Sequence, residues 1–350
     1  MAVKTIKTLA HFIAACSEIE IKHDHTLFYR GHASKSFVPL PAIFRHQDNN
    51  PQNEKFILRE DELFHNLITR CPSDFINCSS TFDYLVKMQH YGLPTRLLDI
   101  TSNPLVALYF ACNAFIPKSS KDSSADDGQV LIYQVPNDQI KYYHSDTVSL
   151  VSNLAKVGEG FNISSDDDIE RFIHTIQAEK PYFKNKINKD HLRSVICVRP
   201  KLDNPRIIKQ SGAFFLFGMG NLKTDSISID EKFKPKLKHL EIPKGSKQNL
   251  LNELETLSIS QGTLFPEIDS VARFLTNTKI PKAPKVESVD QILINAGVSA
   301  VELNNYIKII ATKVAENEYV MEQISNNSKQ QAMLGELPLA INDAVIASME

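Results

Sequence analysis

The run QHYGLPTRLLDITSNPLVALYF, residues 89–110, sets His90, Tyr91, Arg96, Asp99, Thr101, Ser102 and Asn103 directly ahead of an almost wholly apolar segment. Ordinary core segments do not crowd so many polar groups beside so buried an element. Asn103 is a good helix cap, and Pro104 suits the first helical position, where a missing N–H costs nothing. From Leu105 to Phe115 there is no charge, and Asn113 is the one clearly polar side chain. A helix apolar on nearly all sides lies inside a large domain, and about a dozen residues are too few to span a bilayer. The first N–H groups of such a helix lack intrahelical partners and carry partial positive charge, so its entrance can hold an anion. Leu97, Leu98 and Ile100 bracket Asp99. The spacing predicts a buried carboxyl there, paired with Arg96 or another arginine.

Working outward, residues 27–30 read as a strand followed by Gly31, and residues 82–90 as a helix. Helical periodicity marks residues 54–67, and Leu9, Phe12, Ile13 and Cys16 share one face of an amphipathic N-terminal helix. Downstream, KSSKDSSADDG at residues 118–128 is a solvated loop. Strands are expected at 129–135, 194–199, 213–218 and 238–242. Helices are expected at 166–177, capped by Ser165, at 247–257, and within 261–275. The elements do not alternate regularly enough for a doubly wound parallel sheet. The pattern predicts an α+β fold with a mixed or antiparallel sheet partly covered by helices. The stretch TKIPKAPKV at 278–286 reads as a linker, which divides the chain into a main domain at 1–277 and a small helical C-terminal module at 287–350.

The 350 residues carry a net charge of −2, with 42% hydrophobic and 23% charged side chains. That composition is normal for a globular protein and supplies no global drive toward nucleic acid or anionic membrane. The five cysteines form no CxxC and read as reduced thiols of a cytoplasmic protein. No run suggests a signal segment or a membrane span. No metal is expected: His23 and His25 lack further ligands at zinc spacing, and the acids at 166–168 suit a helix N-terminus. GMGN at 218–221 lacks the third glycine of a dinucleotide fingerprint.

Several segments together resemble the FRG domain: Phe28-Tyr29-Arg30-Gly31, PLPAIFR at 39–45, QHYGLPTRLLDITSNPLVALYFA at 89–111, RIIKQSGAFFLFG at 206–218, IPKGSK at 242–247 and TLFPEIDSVARFL at 263–275. They cover about residues 20–275. A second resemblance is to ADP-ribosyltransferase-like enzymes, carried by Arg30 at a strand end and by Thr101-Ser102 ahead of an apolar helix containing ALYFA. That resemblance implies an ADP-ribosyltransferase-like core and NAD as substrate. It gives Arg30 a phosphate contact, with Thr101 and Ser102 on the nicotinamide side. The late position that carries a Glu in such enzymes here offers Gln210. The tail at 316–350 resembles a helical segment of type I restriction-enzyme motor subunits, which implies docking in a restriction or defence complex.

These resemblances leave three functions open. One is an NAD-using transferase or NAD-hydrolysing enzyme, a toxin or phage-defence effector, whose acceptor is water, protein or nucleic acid. The second is a non-catalytic nucleotide or nucleic-acid sensor, and the third is an assembly protein acting through its tail. On the first, Arg30, Thr101, Ser102 and Gln210 carry the chemistry, while Arg30, Gly31, Tyr91, Arg96, Thr101, Ser102 and Asn103 bind the nucleotide. Each has a plainer alternative: a sheet-edge ion pair for Arg30, a structural pair for Arg96 and Asp99, caps for Thr101 and Ser102, packing for Tyr91 and a turn for Gln210.

Overall fold

The computed structural model describes residues 4–113 and 126–277, together with Asn305 and Lys308. The chain divides into two units, Met1–Asn277 and Thr278–Glu350. The linker and C-terminal module expected from the sequence lie outside the described residues, apart from Asn305 and Lys308.

The strands are β1 (Lys4–Thr5), β2 (His25–His32), β3 (Leu97–Thr101), β4 (Gly128–Pro136), β5 (Ile140–Tyr142), β6 (Val195–Arg199), β7 (Gly212–Phe217) and β8 (His239–Ile242). The helices are α1 (Leu9–Ser17), α2 (Glu60–Arg70), α3 (Thr81–His90), α4 (Pro104–Cys112), α5 (Asp146–Ser152), α6 (Asp166–Gln177), α7 (Lys189–Leu192), α8 (Pro205–Lys209), α9 (Lys247–Thr256), α10 (Gln261–Leu264) and α11 (Ile268–Asn277). Local chemistry sets several boundaries. Asn103 accepts from the Leu105 N–H at 3.0 Å with Pro104 in the first turn, as the sequence predicts for α4. Ser165 accepts from Asp168 N–H at the start of α6. Ser80 and Asp83 form a reciprocal capping box on α3.

The strands form one sheet in the order β1-β8-β4-β2-β3-β7-β6-β5. It is mixed: β1–β8 and β6–β5, the outermost pairs at the two edges, are parallel, and the inner pairs are antiparallel. With its covering helices this is the α+β architecture expected. The sheet is not uniformly knitted. β2 pairs with β4 along its whole length from His25 to His32, and β3 pairs with β7 from Leu97 to Thr101. Between β2 and β3, Tyr29 opposite Thr101 is the single pair. The sheet is therefore two four-stranded halves joined at one point.

Side-chain alternation assigns the core to this frame. One face carries Phe28, Leu98, Ile100, Tyr133, Phe215 and Phe217 across both halves, packed on Ile43, Phe44, Ile57 and Phe233. The opposite face carries two separate clusters. Tyr29, Val130, Ile132, Leu240 and Ile242 pack under α1, α4 and α9. Leu97, Ile196, Val198, Phe214 and Leu216 pack under α3, α5 and α6. The two helical layers part above the seam between β2 and β3.

A buried ionic cluster anchors the second half. The expectation for Arg96 is either a structural pairing with Asp99 or a place on a nucleotide. Neither holds, because Arg96 is fully buried and bonded to Glu60 at the start of α2. Its Nη1 also donates to the carbonyls of Phe217 at 2.8 Å and Gly218 at 3.1 Å. Lys223 Nζ stands 3.2 Å from the same Glu60 carboxylate. Asp99, expected to be buried, is exposed. In a strand, Leu98 and Ile100 report the face opposite to Asp99, so their burial says nothing of its own.

Candidate functional site

Past the one Tyr29–Thr101 pair, β2 and β3 stop sharing ladder bonds, and a side chain bridges the gap. Arg30 Nη1 donates to the Asp99 carbonyl at 2.6 Å, and its Nε donates to His32 Nε2 at 2.9 Å. His32 is buried, and that burial, with the Arg30 and Arg45 guanidiniums beside it, pushes its imidazole down to about 3. A neutral imidazole with a free lone pair is what the Arg30 N–H needs as acceptor. Burial also lowers the guanidinium of Arg30, against the opposing pull of Asp99.

On the face where the helical layers part, a cavity of about 430 Å³ opens over this seam. Tyr29, Asp99, Thr101 and Phe214 line it from the strands, Gln89 and His90 from α3, and Val106 and Phe110 from α4. Arg206 and Ile207 of α8 and the following Gln210 complete the wall. The Asp99 carboxylate is held at Oδ2 by Gln89 Nε2 at 2.7 Å, and Gln89 Oε1 accepts from the Thr95 hydroxyl at 2.6 Å. Thr95 is buried, so this chain of bonds fixes a carboxylate inside the cavity.

The structure brings together Arg30, Gly31, Thr101 and Gln210 from the sequence-derived set, although Gln210 is 109 residues from Thr101. Thr101 Oγ1 donates to the Gln210 carbonyl at 2.6 Å and accepts from Asn103 N–H at 2.9 Å. Gln210 Nε2 donates to the Leu264 carbonyl at 3.0 Å. Ser102 and Asn103 lie outside the residues lining the cavity: Ser102 N–H donates to the Ser211 carbonyl, and Asn103 caps α4. Gly31, at the cavity wall, also has a packing purpose. A Cβ there would lie 1.9 Å from the Ala107 carbonyl oxygen, so the missing side chain is what seats α4 on β2. Tyr91 is exposed and lines a neighbouring cavity instead.

β2, the α3–β3 connection and the entrance of α4 thus build most of the site from one continuous span. Residues 25–120 match the FRG domain. No curated protein and no solved structure matches the chain. The FRG span contributes Arg30, Gln89, His90, Asp99 and Thr101. Arg206 and Gln210 lie beyond the matched residues, as do the resemblances at 206–218, 242–247 and 263–275, and they complete the same cavity.

Sequence reasoning missed Gln89 and Arg206, and it assigned Asp99 to the wrong environment. Strict alternation in LLDIT would have separated Asp99 from Leu98 and Ile100. Among the described residues, no group of three or more His, Cys, Asp or Glu side chains is placed to hold a metal ion, and no helix is long and apolar enough to cross a membrane. All five cysteines are free thiols.

Proposed function

We propose that the seam cavity binds NAD and that the protein cleaves its nicotinamide–ribose bond, as an ADP-ribosyltransferase-like or NAD-hydrolysing enzyme. The observation that carries this reading is the convergence of Arg30, Thr101 and Gln210 on one cavity at the joint of a split sheet. The cavity's size is within the usual range for a small-molecule site, and it combines aromatic walls from Tyr29, Phe110 and Phe214 with a few convergent polar groups.

Asp99 is the residue to which we give the electrostatic role. As the bond from ribose C1′ to nicotinamide breaks, its electron pair leaves with neutral nicotinamide and positive charge develops on the ribose. A carboxylate already oriented by Gln89 stabilises that charge without reorganising. Water or an acceptor hydroxyl then bonds to C1′ and gives up its proton. Gln210, at the position where the resemblance to ADP-ribosyltransferase-like enzymes implies a Glu, shapes the wall through its bond to Leu264. Release of nicotinamide from cellular NAD suits a toxin or phage-defence effector, a setting also supported by the restriction-subunit-like tail.

The test is incubation with NAD and detection of free nicotinamide. Asp99→Asn should lower turnover by roughly 100-fold or more with NAD affinity nearly unchanged, as for loss of one preorganised charge-stabilising group. Because Asp99 is exposed, the variant should melt close to wild type. No nicotinamide from the wild-type protein would sink the catalytic reading.

A second reading, a nucleotide sensor without turnover, is favoured by one observation: Arg30, Thr101 and Gln210 all spend hydrogen bonds within the protein. NAD binding without nicotinamide release would establish it.

A further inference from the structure

A second cavity, also about 430 Å³, adjoins the seam cavity. The two share Val86, His90, Asn204 and Arg206 in their walls. Their common boundary is therefore a place where one ligand can be touched from both sides.

Most cations near this boundary are committed. Arg30 is bonded to Asp99 and His32. Lys201 Nζ donates to Asp83 at 2.8 Å and to Ser79 at 3.0 Å. Lys87 donates to the Asp74 carbonyl. Arg206 differs. Among the described residues its guanidinium has no hydrogen bond or ion pair, and it lies 4.7 Å over the ring of Phe265. The ring holds the plane of the fork and leaves its N–H groups for a ligand. A planar fork that meets no carboxylate is suited to a phosphate oxygen pair.

A ligand that occupies both cavities with its charge at their boundary is two ring-bearing halves joined by phosphate. We infer that Arg206 grips the pyrophosphate of a dinucleotide laid across the two cavities, the second cavity taking its adenosine half. Asp99 belongs to the first cavity, which assigns the reacting ribose to that side. Tyr91, exposed at the second cavity, offers an aromatic face for the adenine. The inference rests on the nucleotide reading of the seam cavity and replaces Arg30 with Arg206 as the phosphate contact.

Calorimetric titration of ADP-ribose, inorganic pyrophosphate and nicotinamide riboside into wild type, Arg206→Ala, Arg206→Lys and Arg30→Ala tests it. ADP-ribose affinity should fall about tenfold to a hundredfold in Arg206→Ala, as for loss of a charged hydrogen bond, and recover in part in Arg206→Lys. The riboside, which lacks phosphate, should bind both variants as it binds wild type. Among the described residues Arg206 bonds no acid, so its replacement strands no buried charge, and equal melting midpoints check that the fold is kept without its stacking on Phe265. Equal ADP-ribose affinity in wild type and Arg206→Ala overturns the inference, as does wild type binding none of the probes. A loss confined to Arg30→Ala overturns it too and returns the phosphate to that residue. If ADP-ribose binds through Arg206 while NAD yields no nicotinamide, the cleavage reading falls and this inference stands.

Discussion

Glu60→Ala should cost the protein about 3–5 kcal/mol of stability, the usual consequence of removing one member of a buried ionic group. Glu60 is buried at the first turn of α2 and holds two cations at once. Arg96 Nε reaches its Oε1 at 2.8 Å, and Lys223 Nζ reaches its Oε2 at 3.2 Å. Without the carboxylate, two positive groups would face each other out of contact with water. Lys223 has an escape, because burial already lowers its ammonium and it can shed the proton. Arg96 has none, since a guanidinium keeps its charge at any ordinary pH. Its bonds to the Phe217 and Gly218 carbonyls would remain, so the charge would stay in place and uncompensated. Urea denaturation of wild type, Glu60→Ala and Glu60→Gln is the measurement, and the amide variant should fall between the other two. A loss under about 1 kcal/mol in Glu60→Ala would mean that water reaches this cluster and that the interaction behaves as a surface pair.

That cluster also shows what kind of information the sequence held. The cap at Asn103, the proline beside it and the apolar run that follows act within one helical turn, so α4 was legible to within a few residues. The same is true of Ser165 and α6. Arg96 finds its acid 36 residues upstream on another element, and no local spacing encodes that choice. Asp99 departs from the expectation for a different reason. Its apolar neighbours in sequence suggest apolar surroundings, although in a strand the adjacent side chains belong to the other face. Arg30, Thr101 and Gln210 were placed on one site through resemblance, and the topology puts them around one cavity. Arg206 heads the RIIKQSGAFFLFG match but takes no role from it: an arginine at the start of a five-residue helix is unremarkable until the cavities on both sides of it are known. The packing need at Gly31 is illegible locally, because the helix that requires its bare backbone begins 73 positions later, at Pro104.

Gly31→Ala is accordingly the sharpest test of how the site is assembled. The added Cβ would stand 1.9 Å from the Ala107 oxygen, 2.6 Å from the Ala111 nitrogen and 2.9 Å from the Phe110 Cβ. Two of these atoms are helix backbone, which cannot rotate away, so α4 must lift from β2. Overpacking a core by one methyl group costs typically about 1–3 kcal/mol, and a rigid backbone neighbour puts this case at the upper end or beyond. The neighbouring strand reinforces the point, since a Cβ on Gly128 of β4 would lie 2.3 Å from the Ala111 oxygen. α4 rests on two bare positions, and relief at one is blocked by the other. Val106 and Phe110 ride on the same helix and wall the seam cavity, so the variant should lose ligand affinity along with stability. Gly245→Ala is the control: nothing lies within 4 Å of its Cβ position, and a neutral or slightly raised melting midpoint is expected there. Thermal unfolding and NAD titration of both variants separate the effects. If Gly31→Ala melts with wild type while Gly245→Ala does the same, α4 is not seated on β2 as described. If it loses stability yet binds ligand normally, the cavity takes its shape from α3 and α8 alone.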